Sequence, residues 1–403
     1  MTVLNQAHIL LGVTGSIAAY KAAELASRLT QQGAQVDVIM TAGAEKFINA
    51  LTFQSVSGRK TFSDADLWGG QAHILHVGLG HAADLLVIAP CTANTLAKLA
   101  HGLADNLLSI TALAMSGDIL VAPAMDAGMY EHPATQASVN ILKERGVLFA
   151  GPAEGRMASG LSGTGRMLEP SEIMGHIRMA LARKGKLAGK RLVITAGGSQ
   201  EPIDPVRFIT NRSSGKQGYA LAQAALDAGA AVRLITHPSG LPAPVGAQVL
   251  EVRTAREMLE AVLEACQDAD ALVMAAAVAD FRVEHISEQK LKKRDGIPQI
   301  QLVVTPDILV EVAKIRAGLK RLKVVVGFAA ESRDLVENAV AKLSSKQLNF
   351  IVANDISAAD AGFAVDTNRI TLLYADGRRE SLPLMSKAEA AEGIIARVAA
   401  LLE

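Results

Sequence analysis

Apolar positions along this chain gather into short blocks separated by longer amphipathic stretches. HILLGV is a compact apolar run, GS breaks it, IAAYKAAELASRLTQQ carries the apolar spacing of a helix, and GAQVDVIM is again a short apolar run. Strand, helix and strand in that order predict a βαβ unit. Ser16 stands where an N-cap is expected and Gly33 where a helix should end. Further strands are expected at ADLLVIAP (83–90), DILVAPAM (118–125) and VLFAG (147–151), with helical patterns between them. The short basic, glycine-bearing stretch KGKLAGKR that begins at Lys184 interrupts the pattern and reads as a linker. The plan then restarts. KRLVITAGG is strand and loop, GYALAQAALDA a helix, and GAAVRLIT a strand that echoes GAQVDVIM. Later strands are ADALVMAAAV (269–278), LKVVVGFAA (322–330) and NFIVAND (349–355), and ITLLYADGRRESLPL (370–384) is a hairpin on an Asp-Gly turn. The expected fold is α/β: two tandem doubly wound, mostly parallel-sheet domains of the Rossmann-like kind, at 1–185 and 186–403.

Composition narrows the partners. Forty basic residues balance forty acidic ones, so no excess charge draws the chain to nucleic acid or to an anionic membrane, and small molecules are the expected ligands. No apolar run approaches the roughly 18 residues of a membrane span, and the N-terminus lacks the basic start of a signal peptide. Cys91 and Cys266 are the only cysteines, each in an apolar stretch, which argues against a disulfide framework and for a cytoplasmic protein. Aromatic residues make up 3% of the chain, so Ala, Val, Leu and Ile must fill the cores.

In the first half, GVTGSIAAYK sets Gly15, Ser16 and Ile17 between strand and helix, where backbone N–H groups can hold a phosphate; it equally suits a plain tight turn. Thr41, Thr92, Asn94 and Asn106 lie at or near the ends of following strands, where ligands sit in this fold. His76 competes with His73 and His81 for any catalytic role, and spacing favours none of them. Residues 155–167, GRMASGLSGTGRM, read either as a flap over a site or as a surface loop. In PAMDAGM, Asp126 follows an apolar strand and is either a working acid or a turn residue.

The second half carries a long polar segment at 197–218, GGSQEPIDPVRFITNRSSGKQG, in place of a short turn. Its Arg207, Asn211, Arg212 and Lys216 suit a reader of phosphate or carboxylate. AAAVADFR follows a strand, and its Asp280 could hold a ligand or cap the next helix. QKLKKRD (289–295) is either a solvated face or a set of lysines closing on a triphosphate.

Taken together, GVTGSIAAYK, APCTAN, PAMxxxM, the 197–218 segment, AAAVADFR, the KLKK run and GFAAE with Lys342 and Lys346 resemble the bifunctional phosphopantothenoylcysteine decarboxylase/phosphopantothenate–cysteine ligases of coenzyme A biosynthesis. The resemblance spans nearly the whole chain. It implies an N-terminal domain with the fold of flavin-containing cysteine decarboxylases, binding FMN through residues including Gly15, Ser16, Ile17, Thr41, Thr92, Asn94 and Asn106. His76 is then the catalytic histidine, Met125, Asp126 and Met129 contact substrate, and 155–167 forms a clamp. It implies a C-terminal domain that joins L-cysteine to 4′-phosphopantothenate with CTP and Mg²⁺, through an acyl-cytidylate. Lys290 and Asn211 are its catalytic residues. Ala275, Ala276, Asp280, Thr305, Pro306, Asp307, Ile308, Phe328, Lys342 and Lys346 contact substrate, while no metal ligand is identified. Trimeric N-terminal and dimeric C-terminal domains, together a dodecamer, are also implied.

Two positions depart from the family pattern. Asp126 replaces an asparagine, and Ser159 a cysteine that protonates an enethiol. A hydroxyl is a much weaker acid than a thiol, and Asp126 donates a hydrogen bond only when protonated. Asp126, protonated or hydrogen-bonded to substrate, and Ser159 or a water in place of the thiol are still expected to act as catalytic groups; an N-terminal domain that serves only oligomerisation or regulation is the alternative expectation. A dinucleotide reductase is disfavoured, since neither first turn carries GxGxxG with a following acid.

Overall fold

The computed structural model describes residues 2–68, 72–293, 296–331, 335–355 and 367–403, without the side chains at 68, 72, 73, 330, 331, 335–338 and 355. Candidate His73 thus lies outside the described side chains, as do 294 and 295 of the basic run. Contacts divide the chain into two units, Thr2–Arg183 and Lys184–Glu403.

The first unit is built on strands β1 (His8–Val13), β2 (Gln35–Met40), β3 (Thr61–Phe62), β4 (Leu85–Cys91), β5 (Asp118–Pro123) and β6 (Leu148–Phe149). They form one parallel sheet in the order β3-β2-β1-β4-β5-β6. Every residue of β4 is buried, because helices cover both faces of the sheet and leave no place for an alternating polar residue. Helices Ala19–Gln31 and Pro170–Ala182 supply one core, with Leu25, Leu29, Ile173 and Ile177. Leu96, Leu108, Val139 and Leu142, from helices Ala93–His101, Leu107–Leu113 and Pro133–Glu144, supply the other. The sheet order reverses between β1 and β4, so the loops leaving their carboxyl ends diverge and open a crevice.

Residues of the expected flap form an antiparallel hairpin, β7 (Ala153–Arg156) and β8 (Ser162–Arg166). Glycine lets it dock closely: the Met125 N–H donates to the Gly165 carbonyl at 3.0 Å, and a Cβ on Gly165 would stand 2.4 Å from the Met125 oxygen.

The second unit contains β9 (Arg191–Ala196), the hairpin β10 (Gln200–Pro202) and β11 (Phe208–Thr210), then β12 (Ala231–Thr236), β13 (Gln248–Glu251) and β14 (Ala271–Met274). A second hairpin, β15 (Phe281–Val283) and β16 (Leu302–Val304), precedes β17 (Val324–Glu331) and β18 (Phe350–Asp355). β19 (Thr367–Asn368), β20 (Ile370–Tyr374), β21 (Arg379–Ser381) and β22 (Met385–Ser386) follow. The main sheet runs β13-β12-β9-β14-β17-β18-β20-β21, parallel up to β18 and antiparallel for β20 and β21. Leu221 and Ala225 of helix Lys216–Asp227 share a core with Ile394 and Val398 of helix Lys387–Leu402. Helices Ala255–Ala265, Ile308–Arg316 and Leu335–Ser345 cover the opposite face.

Several sequence expectations are corrected. Ser16 is not an N-cap: two consecutive turn bonds, Ser16 N–H to Thr14 O and Ala19 N–H to Ser16 O, delay the helix until Ala19. Gly33 does adopt φ +87° just past the helix end. The stretch starting at Lys184 is no free linker, since Leu187 is fully buried in the second unit's core. The strand expected at 269–278 stops at Met274, because Ala276 N–H turns to the Thr195 hydroxyl at 3.0 Å and Ala277 N–H to the Gly197 carbonyl at 2.8 Å. No helix follows Asp280 directly; β15 begins at Phe281, so the capping role falls away.

Two candidate active-site cavities

In the first unit a cavity of about 730 Å³ opens over the carboxyl ends of β1, β4 and β5. The turn Gly15–Ala18, Thr92 and Ala93, the segment Ala124–Asp126 with Met129, and the hairpin residues Arg156–Ser159 form its walls. Gly15 and Gly43 meet backbone to backbone, a Cβ on Gly15 standing 3.0 Å from the Gly43 carbonyl carbon, so this end is bare peptide. Bare amides beside a helix start suit a phosphate, and a wall of alanines and methionines suits a planar apolar ring. These residues fit FMN.

The structure brings Gly15, Ser16, Ile17, Thr92, Met125, Asp126, Met129 and Ser159 to that cavity. It does not bring Thr41, Asn94, Asn106 or His76 to its wall. Thr41 sits behind the turn, its hydroxyl accepting from Ala44 N–H. Asn94 is exposed. Asn106 caps helix Leu107–Leu113 in a reciprocal pair with Ser109, which occupies its side chain. His76 lies on helix Ala72–Ala82, and its Nδ1 is buried without a hydrogen-bond partner among the described residues.

Asp126 and Ser159, the two departures from the family pattern, touch. The Ser159 hydroxyl donates to Asp126 Oδ2 at 2.7 Å, while Asp126 Oδ1 accepts from Gly128 N–H at 3.1 Å and caps the turn Ala127–Glu131. The same cavity also holds a group that sequence reasoning missed. Lys21, largely buried, donates to Glu169 Oε1 at 2.9 Å and to the Met167 carbonyl at 3.3 Å. Lys21 first and Arg166 second hold the Glu169 carboxyl below its ordinary range. A lysine near the start of a helix, where the dipole disfavours a cation, was the available signal.

A second cavity, of about 650 Å³, opens in the other unit over the carboxyl ends of β9, β14, β17 and β18. Segments 211–218, 274–280 and 304–309 converge there with Phe328, Lys342 and Lys346. Asn211, Ala275, Ala276, Asp280, Thr305, Pro306, Asp307 and Ile308 all line it. The Asn211 amide nitrogen donates to the Ala277 and Val278 carbonyls at 3.2 and 3.1 Å, which leaves its oxygen for a ligand. Asp307 caps helix Ile308–Arg316 through Oδ1 and pairs Oδ2 with Lys346 at 2.8 Å. Lys290 is exposed and does not line this cavity. Gln217, Asn354 and Asn368 line it too; of these only Gln217 stands in a stretch, 197–218, that the sequence pattern marked. Among the described residues no three His, Cys, Asp or Glu side chains group as a metal site would, and no helix is long and apolar enough to cross a membrane.

Residues 2–182 match the family model Flavoprotein, and residues 187–402 match the DNA/pantothenate metabolism flavoprotein C-terminal domain. The coenzyme A biosynthesis bifunctional protein CoaBC of Bacillus subtilis (strain 168) is 43% identical over 401 residues, covering 99% of this chain and 98% of that protein. The chain belongs to the CoaBC family. A Mycobacterium tuberculosis CoaBC is likewise 43% identical, over 96% of this chain and 95% of its own length. Among solved structures, the C-terminal domain of a CoaBC matches at 37% identity and TM-score 0.47, over 54% of this chain and 98% of its own. The FMN binding protein AtHal3 matches at 34% identity and TM-score 0.39, over 43% and 96%.

Proposed function

We propose that this chain joins L-cysteine to 4′-phosphopantothenate at the cavity of its second unit and decarboxylates the product at the cavity of its first. Membership of the family makes it a coenzyme A biosynthesis enzyme with ligase and decarboxylase activities. The observation that carries the finer reading is convergence: segments 211–218, 275–280 and 305–308, far apart in sequence, share one cavity with Phe328, Lys342, Lys346 and Lys387.

A carboxylate acylates poorly because oxide leaves badly. Attack of the substrate carboxylate on the α-phosphorus of CTP expels pyrophosphate and gives an acyl-cytidylate, from which CMP leaves when the cysteine amine attacks. Negative charge builds on phosphoryl oxygens in the first step, so Lys342, Lys346 and Lys290, with Mg²⁺ carried on the nucleotide, provide the stabilisation. Asn211 presents its oxygen to the acyl centre because its nitrogen is tied to backbone carbonyls.

In the first unit the Gly15–Ile17 turn would take the FMN phosphate and Thr92 with Met125 would border its ring. When bound, the flavin supplies the two-electron chemistry that an acylcysteine needs, since its carboxylate has no electron sink. The hairpin carrying Ser159 closes one side and limits water. Ser159 points its proton at Asp126, so it can give that proton to substrate only if Asp126 returns one.

Both units carry exposed apolar surface that suits further copies. Ile17, Tyr20, Phe47 and Met129 on the first cavity are each more than half exposed. A neighbouring copy would cover them and could offer the His76 that the chain's own cavity lacks. Phe208, Phe281, Leu302 and Val304 make a second exposed set on the two small hairpins of the other unit. Trimers through the first surface and dimers through the second give a dodecamer. The two buried cysteines suit a reducing cytoplasm.

Mass spectrometry of the products from 4′-phosphopantothenate, cysteine, CTP and Mg²⁺ tests the proposal. Formation of 4′-phosphopantetheine with CO₂ is expected. Accumulation of 4′-phosphopantothenoylcysteine would instead reduce the first unit to an oligomerisation or regulatory module.

A further inference from the structure

Lys290 poses a problem that geometry answers in part. It is exposed, outside the cavity where its charge is needed, so something must define the place from which it acts. The segment leading to it is not loose. The Ser287 N–H donates to the Ile203 carbonyl at 3.0 Å, and the Leu291 N–H donates to Asp204 Oδ2 at 3.1 Å. The Arg207 guanidinium donates to the Leu291 carbonyl. Both peptide groups of the residue after Lys290 are therefore held by the turn 203–207, more than 80 positions earlier in sequence.

Asp204 is the hub. Its side chain is fully buried, and its two oxygens divide their work. Oδ1 accepts the Val206 and Arg207 N–H groups, both at 2.8 Å, and so makes the turn. Oδ2 accepts Leu291 N–H and pairs with the Arg207 guanidinium at 2.8 Å. A buried carboxylate with all its partners supplied is a rigid point in an otherwise exposed region.

We propose that Asp204 is a positioning residue for ligation, anchoring the segment that carries Lys290. This rests on the reading of Lys290 as the cation that acts on the phosphoryl group. Only the lysine beyond the anchor needs to swing, which keeps the sweep of its ammonium short and repeatable.

Asp204→Asn separates the two oxygens. An asparagine can keep its oxygen on the Val206 and Arg207 amides, but its NH₂ then faces Leu291 N–H, donor against donor. The turn survives, and the hold of Asp204 on Leu291 is released. In the full chain, trypsin should cut after Lys290 or Lys292 roughly tenfold faster, in proportion to the open population. Ligation kcat should fall about tenfold, while the CTP-binding stoichiometry and the KM for CTP stay within about twofold of wild type. The fraction of protein that binds CTP guards against simple misfolding. Cleavage and kcat both at wild-type values would overturn the proposal, as would a higher KM with kcat unchanged, or faster cleavage with unaltered kcat. Lys290→Gln serves as the separate control. If that variant ligates at the wild-type rate, the role given to Lys290 fails, and with it any action of Asp204 through it; if it is crippled while Asp204→Asn is not, only the anchoring role fails.

Discussion

Asp126 and Ser159 are one feature rather than two. Because the Ser159 hydroxyl donates to Asp126 Oδ2, the direction of that bond decides which groups the cavity can use. Asp126→Asn reverses it: the new NH₂ would donate to Ser159 and release the hydroxyl proton toward the cavity, while the remaining oxygen still caps Gly128 N–H. Asp126→Asn is therefore expected to change the rate of decarboxylation through the direction of that bond. CO₂ release by the two proteins decides it, an unchanged rate meaning that the acid plays no part. General acid catalysis of this kind is worth roughly 10²–10⁴ in rate, so Ser159→Ala should be slow at every pH. Sequence could not separate ligand groups from caps among short polar residues. Asn106 and Thr92 look alike at strand ends, yet Asn106 is spent on Ser109 while Thr92 caps a helix and still borders the cavity.

At the scale of elements, the docking of the hairpin β7–β8 depends on Gly165, which allows backbone contact. Gly165→Ala would drive a methyl group to 2.4 Å from the Met125 carbonyl, so the hairpin must lift. We expect a loss of about 1–3 kcal/mol in stability of the first unit, typical of overpacking, and strongly reduced decarboxylation with ligation retained. Thermal melts and separate assays of the two half-reactions check it. The long strands were legible because each is a near-continuous apolar run covered on both faces, as in LLVIAPC of β4. The alanine run of 275–278 misled for the same reason: apolar character alone does not show that the Thr195 hydroxyl and the Gly197 carbonyl draw its amides out of the sheet. The pairs β10–β11 and β15–β16 left no periodic trace, each strand being only three residues long.

Across the molecule, stability should respond to acid through buried carboxylates. Asp37 is almost fully buried in β2, and burial would raise its pKa. Hydrogen bonds from Arg59 at 2.7 and 2.9 Å and from His8 at 2.6 Å outweigh that and hold it below its ordinary value. A depressed folded pKa contributes stability that is complete above the unfolded value of about 4 and is lost as pH drops through the lowered one. Melting of the first unit should thus be flat on this account near neutrality and decline below about pH 4. Asp37→Asn, expected to cost about 1–3 kcal/mol at neutral pH, should lack that part of the decline. A last consequence concerns chemical attack. Cys91 and Cys266 are buried, the first thiol held far above its usual pKa by burial and the second pushed up to about 12, and the flap position where relatives of the resembled family carry a cysteine holds Ser159. With no thiolate within reach of solvent, the flap offers thiol-directed alkylating agents no target, and soft electrophiles that silence a cysteine-bearing flap would find no thiol at this one.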